Sequence, residues 1–528
     1  MKQLPIGIQN IEEILSGNFI YVDKTNLARR LISSGKHYFM SRPRRFGKSL
    51  FISTLEQIFK GNKELFKDCE IYNSDYQWAS HPILHFDFSL IESETPDALR
   101  GGLHDALEDI AKSYGLTVSG SSLKSQLKRL VKELSSRNNR VVVLVDEYDQ
   151  PIINHLSDLV IAEANRDILS GFFGALKGLD AEIEFTFITG VSKFSQVSIF
   201  SGLNNLKDIT LLDCYADMLG YTEKDLRMYF TPHIENILQM RNKSEKKLTY
   251  EDALEEVRIW YNGYRFSKAE TSVYNPFSTL NYMEFGEPKA YWYRTGTPSF
   301  LMGQMRKYPR HLAPLSGTTA SENSLLDISS LDNIDLRALM FQTGYLTIQG
   351  FSGYDVYNLG FPNREVEQAF FQSLATCFAQ VDSAASTDYI EALEKQDLSR
   401  FFKKLEGFFA SFPYHLFSKG NEATYQGMLL ALLKGMGLSA VAEYATNLGR
   451  IDITIETERI TYIFECKLDK SADEALGQIE ERHYYHQYVN KDKDIGIVGV
   501  NFSSQDRNIS EWKGKLLISS GELMRELE

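Results

Sequence analysis

The chain has 528 residues, of which 43% are hydrophobic, 12% aromatic and 24% charged; this composition supports large buried cores and excludes disordered, collagen-like and low-complexity classes. A formal net charge of −13 rules out bulk attraction to a polyanion, so any nucleic-acid site must be a local basic patch. Four scattered cysteines (Cys69, Cys214, Cys377 and Cys466) form no C-x-x-C pair, so no disulfide framework or zinc site is readable. The first residues lack the apolar core of a secretory signal, and no run approaches the ~18 apolar residues of a membrane span, so a cytoplasmic protein with no membrane contact is expected.

Over residues 1–210 the apolar runs HYFMS, PILHFDFS, VVVLVDE and IEFTFITG alternate with helical patterns, predicting an α/β domain with a parallel sheet. The unbroken apolar run Val141–Val145 fits a strand covered on both faces, with Val141 central in the sheet. HYFMS leads into Arg42-Pro43-Arg44-Arg45-Phe46-Gly47-Lys48-Ser49, and LFISTLEQIFKG then has helical spacing. Strand, tight loop and helix is the layout of a Walker A phosphate-binding loop: backbone N–H groups face phosphates, Lys48 neutralises them and the Ser49 hydroxyl serves Mg²⁺. The general pattern has glycine where Arg42 stands, and a basic loop ahead of a helix is the plain alternative. VVVLV ends in Asp146-Glu147-Tyr148-Asp149, as a Walker B strand would, with Asp146 holding the metal through water and Glu147 acting as general base. Thr189 and Ser192, after the next strand, are candidate γ-phosphate sensors or plain turn formers. His85 reads as a packed strand residue, and Asp87 stays unassigned.

Residues 211–381 read as a helical, winged-helix-like middle domain. It has aromatic loops (WYNGYRFS, YNPFS, YWYRTGTPSFL) and a helix–hairpin–helix stretch formed by LRALMFQTGYLTIQG and YDVYNLGFPNREVEQAF. Asp382–Glu406 reads as a polar helical connector opening a third domain, 382–528, whose core of about 421–505 runs helix, three strands, helix and strand. There Asp452 lies on one strand and Glu465 and Lys467 on the next. Period-two alternation puts Glu465 and Lys467 on one face. Two carboxylates can hold a divalent cation while Lys467 orients a water beside it, a set suited to phosphodiester hydrolysis. Glu422 or Glu443 could add a further acid, and Gln478 on the following helix an amide. An ordinary solvated strand face is the alternative.

Together these constellations resemble the AAA-ATPase-like family whose members carry a C-terminal PD-(D/E)xK nuclease superfamily domain. The resemblance rests on YVDKT at Tyr21–Thr25, SRPRRFGKSL at Ser41–Leu50, VDEYDQP at Val145–Pro151, ITGVSKFS at Ile188–Ser195, WYNGYRF at Trp260–Phe266, YNPFS at Tyr274–Ser278, GRIDI at Gly449–Ile453, FECKL at Phe464–Leu468 and EALGQI at Glu474–Ile479. It implies a P-loop ATPase core, a helical or winged middle and a restriction-endonuclease-like α/β tail. Arg42 then belongs to a family form of the loop. The resemblance implies ATP roles for Lys48, Ser49, Asp146 and Glu147; the whole candidate ATP-binding set is Arg44, Arg45, Phe46, Gly47, Lys48, Ser49, Asp146 and Thr189, with Glu147 catalytic. The implied nuclease set is Asp452, Glu465, Lys467 and Gln478, and the metal ligands are Ser49, Asp146, Asp452 and Glu465. ATP and Mg²⁺ are the expected cofactors and nucleic acid, DNA first, the expected substrate. A homo-oligomer could bring Arg265 or Arg294 across an interface. The resemblance implies a nucleotide-gated nuclease, with defence against mobile DNA as a candidate role. The alternative is an ATP-dependent switch or scaffold that binds nucleic acid or protein without cleavage, a reading the acidic charge and aromatic middle favour.

Overall fold

A computed structural model describes residues 1–193, 199–200, 205–242, 247–293, 301, 318–326, 334–353, 355–379, 383–410, 422–436, 438–446 and 449–527. The chain divides into two compact units, Met1–Gly296 with Gly317–Glu365, and Thr297–Ser316 with Val366–Glu528. No helix among the described residues is long and apolar enough to cross a membrane.

In the first unit β1 (His37–Ser41), β2 (Ile83–Asp87), β3 (Val141–Asp146), β4 (Ile183–Gly190) and β5 (Lys207–Asp208) form a parallel sheet in the order β2-β3-β4-β1-β5. Every residue of β1 and β3 is buried, which continuous apolar strands require of helices on both faces. The valine run of β3 sits between β2 and β4, as its composition predicts. Because β4 separates β1 from β3, the phosphate-loop strand and the acid-tipped strand stand roughly 10 Å apart, two strand spacings, with the end of β4 between them.

The helices around this sheet begin where the sequence supplies caps. The Thr95 side chain accepts from the Ala98 N–H ahead of Pro96–Ser113, and Ser122 and Ser125 form a reciprocal capping box at Leu123–Arg137. Each buries one apolar stripe, Leu99, Leu103, Leu107 and Ala111 in the first and Leu127, Leu130, Val131 and Leu134 in the second. Burying a leucine of this kind contributes about 1.5–3 kcal/mol.

The rest of the unit begins with helices Glu223–Tyr229, Thr231–Arg241, Tyr250–Tyr261 and Pro276–Phe285, whose buried faces share one core built on Phe230, Ile234, Val257, Tyr261 and Tyr282. The helix Leu336–Thr343, the hairpin of β7 (Thr347–Phe351) and β8 (Val356–Gly360) and then the helix Arg364–Ala379, of which only Arg364 and Glu365 fall in this unit, give the expected helix–hairpin–helix order along the chain. β6 (Thr318–Ser321) extends the hairpin to a sheet ordered β6-β8-β7.

The second unit holds a mixed six-stranded sheet of β9 (Ser439–Thr446), β10 (Gly449–Glu456), β11 (Ile460–Leu468), β12 (Asp494–Ser503), β13 (Asn508–Leu517) and β14 (Leu523–Leu527), in the order β14-β13-β12-β11-β10-β9. Only β11 and β12 are parallel, and the helix Ala472–Glu481 makes the crossover between them. The crossover helix stops at Glu481, and His483 then takes the left-handed region at φ 50. One sequence expectation needs correcting. The segment read as a polar connector ends within the helix Leu398–Ala410, whose Leu398, Phe401, Phe402, Leu405, Phe408 and Phe409 are buried. Phe402 stacks on Trp512 with ring centroids 4.5 Å apart, so this helix belongs to the core of the sheet.

Candidate functional site

The loop after β1 turns into the helix Lys48–Phe59 at Gly47, the N-cap, with φ 93. A Cβ there would meet nothing within 4 Å, so glycine is required by the left-handed backbone and not by space. The unsatisfied N–H groups of the first helical turn, with Ser49 half-buried among them, make this end suited to anions. Lys48 is 4% exposed, and its Nζ donates to the carbonyls of Arg42 and Pro43, each at 3.0 Å. Burial pulls its amine below the ordinary lysine range, opposed by the charges of Glu147, Asp146 and Asp149.

Arg42, in the position of the missing glycine, is 1% exposed and leaves the loop. Its guanidinium donates to the carbonyls of Ser41 at 2.9 Å, Thr210 at 2.7 Å and Tyr215 at 3.4 Å, and lies 4.3 Å from the centroid of the Phe266 ring. Burial brings its pKa down to about 9 against the pull of Asp208. Arg42 is therefore a strut between β1 and the segment after β5. Phe46 is equally buried, edge-on to Tyr264 at 4.8 Å and Phe266 at 5.4 Å, which makes it an anchor beneath the loop. Arg44 and Arg45 are exposed. The Arg44 carbonyl accepts the Trp292 indole N–H at 3.0 Å, and the Arg45 guanidinium lies 5.2 Å from the Phe277 ring centroid. The aromatic motifs of the middle region thus converge on this loop.

At the tip of β3, Asp146 is 2% exposed, and its Oδ1 accepts from the Thr189 hydroxyl at 2.6 Å and from the Glu147 N–H at 3.0 Å. Thr189 is itself buried, so its hydroxyl fixes Asp146. Glu147 is half-exposed with φ 51, and burial followed by the repulsion of Asp146 and Asp149 raises its pKa while Lys48 and Arg44 pull it down. Asp149, singled out by no role in the sequence, is buried and accepts from the Ser192 N–H and hydroxyl, both at 2.6 Å, and from the Val191 N–H at 3.2 Å. It ties the acidic turn to the end of β4, and this bond engages the Ser192 hydroxyl. Gly190 admits the approach, since a Cβ there would lie 2.6 Å from Asp149 Oδ1. Asp87 accepts from the backbone and hydroxyl of Ser89 and caps a turn, while His85 sits 3.4 Å from Glu56.

In the second unit the antiparallel register Ile453↔Phe464 places Asp452 beside Glu465 on one face of β10 and β11, with Lys467 two residues on. Cys466 points to the opposite face and is fully buried. Asp452 Oδ2 accepts the Cys466 N–H at 2.8 Å. Glu465 is 1% exposed; its Oε1 accepts from Lys467 Nζ at 2.9 Å and from the Gln478 amide, and its Oε2 has no partner among the described residues. Burial, then the charge of Asp452, pushes Glu465 up to about 7, and burial pushes Asp452 up to about 6 against its bonds to Cys466 and Gln426. Burial opposes the Lys467 charge, but the bond to Glu465 and the surrounding carboxylates outweigh it and keep the amine protonated. Gln426 went unnoticed in the sequence; it stands one helical turn beyond Glu422, which adds its own negative charge to the cluster. The Glu443 side chain and Arg294 lie outside the described residues. Arg265 is turned onto the carbonyls of Ser267 and Lys268.

A buried carboxylate oxygen without a donor, beside a second carboxylate, is costly unless a cation completes it. The donors are hard oxygens, and magnesium, which keeps several waters, needs only one or two carboxylates from the protein, so the residues present fit it. Among the described residues no group of three His, Cys, Asp or Glu side chains converges to hold a metal.

Comparison with known proteins matches residues 5–200 to the family described as "Predicted AAA-ATPase" and residues 420–512 to the "PD-(D/E)XK nuclease superfamily". The chain is also similar to an uncharacterized protein in the vnfD 5' region of Azotobacter chroococcum mcd 1, 34% identical over 523 residues, covering 96% of this chain and 98% of that relative.

Proposed function

From the premise that this chain belongs to the AAA-ATPase-like family with a C-terminal PD-(D/E)XK nuclease superfamily domain, we propose that it binds and hydrolyses ATP through its N-terminal part and cuts nucleic acid, DNA first, through its C-terminal part. In the first site the helix-end amides and Lys48 hold phosphate, with the exposed Arg44 and Arg45 beside them. Thr189 orients Asp146. Glu147, with its raised pKa, takes a proton from the attacking water. In the second site Gln478 and Lys467 fix Glu465 from one side, and Lys467 supplies the positive charge that steadies a water or a developing phosphate charge. Ser49 with Asp146, and Asp452 with Glu465, are the residues that would hold Mg²⁺, which when bound polarises phosphate oxygens and lowers the pKa of water. We further propose the division into 1–210, 211–381 and 382–528 and a cytoplasmic setting.

The observation that carries the nuclease half is Glu465: buried, held at one oxygen by a lysine and an amide, and unpartnered at the other among the described residues. Incubating the protein with labelled DNA and RNA, with and without ATP and Mg²⁺, tests the reading. Cleavage that Asp452→Ala and Lys467→Ala abolish is the expected result. The switch reading gains from the absence of a third converging ligand among the described residues. It predicts nucleotide-dependent binding that survives Lys467→Ala, with no cutting by any variant.

A further inference from the structure

Glu365 takes no part in the chemistry above, yet it is fully buried in the first unit at the head of the helix Arg364–Ala379. Its Oε1 accepts two hydrogen bonds, from the Ser278 hydroxyl at 3.0 Å and the Trp292 N–H at 2.7 Å, while Oε2 has no partner among the described residues. Burial raises its pKa to about 8, opposed by Ser278 and by the backbone N–H groups of Trp292, Tyr293 and Tyr291.

Each donor begins an arm that ends on the phosphate loop. Trp292 carries its indole N–H to the Arg44 carbonyl at 3.0 Å, and its ring packs against Tyr345 and against Tyr264, which lies under Phe46. Ser278 follows Phe277 in the chain, and the Phe277 ring carries the Arg45 guanidinium at 5.2 Å. One carboxylate oxygen therefore anchors the supports of both exposed loop arginines. A buried carboxyl that tolerates an unpartnered oxygen is expensive to keep for packing alone.

We propose that Glu365 is a positioning residue for the nucleotide-binding loop. By holding Trp292 and Ser278 it sets the Arg44 carbonyl and the Arg45 guanidinium, and with them the direction of the loop amides toward phosphate. This rests on the ATP reading, because phosphate is the ligand those amides would face.

The experiment compares wild type, Glu365→Gln, Glu365→Ala and Trp292→Phe by hydrogen exchange of the peptide spanning residues 42–49 without nucleotide, and by ATP titration followed through tryptophan emission and calorimetry. Glu365→Gln keeps an acceptor oxygen and is expected to stay within about threefold of wild type in both loop exchange and ATP Kd. Glu365→Ala is expected to speed loop exchange and weaken ATP at least about tenfold. Trp292→Phe keeps the aromatic packing and loses the indole bond; it should speed loop exchange, weaken ATP and remove most of the emission change. If Glu365→Ala fails to fold, Trp292→Phe decides. Unchanged loop exchange in Trp292→Phe, or failure of Glu365→Gln to rescue, overturns the proposal. A wild-type protein that binds no ATP would refute the nucleotide reading instead, and loop exchange would still decide whether Glu365 positions the loop.

Discussion

Replacing Glu465 with glutamine should stabilise the metal-free protein while destroying its response to magnesium. Glu465 is held at about 7 against an ordinary 4.5. At about 1.36 kcal/mol per pH unit, keeping it ionised in the fold costs about 3 kcal/mol. Because the folded pKa is raised, the folded state binds more protons than the unfolded one between these values, so stability falls as pH rises through 4.5 to 7. Glutamine is the neutral isostere and still accepts from Lys467 and Gln478. In the presence of a chelator the variant should therefore exceed wild type by about 3 kcal/mol at pH 8 and by only about 1 kcal/mol at pH 5. Hydrogen exchange of the β10–β12 amides reads this locally, which matters for a chain with more than one unit. Adding Mg²⁺ at pH 8 should protect the same amides in wild type and leave the variant unchanged. A variant less stable than wild type at pH 8, or a gap equal at both pH values, would refute the reasoning.

Arg42→Gly restores the general loop pattern, yet it removes buried bonds to three backbone carbonyls and the contact with Phe266. We expect a loss of about 3–5 kcal/mol in thermal or urea unfolding and no gain in ATP affinity; a tighter-binding, equally stable variant would show that Arg42 only fills a vacant glycine position. Gly344 has φ 90, and an added Cβ would stand 2.7 Å from the Cβ of Pro43 in the loop. Gly344→Ala should cost about 1–3 kcal/mol and weaken ATP binding in a calorimetric titration, because the strain falls on the phosphate loop. Unchanged affinity would mean that the loop does not depend on this contact.

The parts of the molecule that could be read from sequence are those governed by local periodicity. The β1 and β3 runs, the glycine before Lys48 and the period-two pair Glu465 and Lys467 each announce their geometry within a few residues. What stayed hidden depends on long-range contact. Nothing near Arg42 reveals that its side chain would reach the carbonyls of Thr210 and Tyr215, and nothing near Phe46 predicts Tyr264 and Phe266 around it. Thr189 reads from sequence as a phosphate sensor or a turn former; the parallel register that brings its hydroxyl to Asp146 appears only with the sheet. The helix Leu398–Ala410 is a different case. Its apolar residues recur at three and four, but the lysines between them made the segment look like a connector. β13 mixes charges into its inward pattern and gave no alternation to follow.

The central claim is that Asp452 and Glu465 converge on a divalent cation, and anomalous scattering from crystals grown with Mn²⁺ in place of Mg²⁺ tests it most directly. The account predicts a manganese peak bound by Glu465 Oε2 and by Asp452, lost in Glu465→Gln crystals. Saturating Mn²⁺ with no peak there, and Glu465 Oε2 hydrogen-bonded to protein instead, would contradict it.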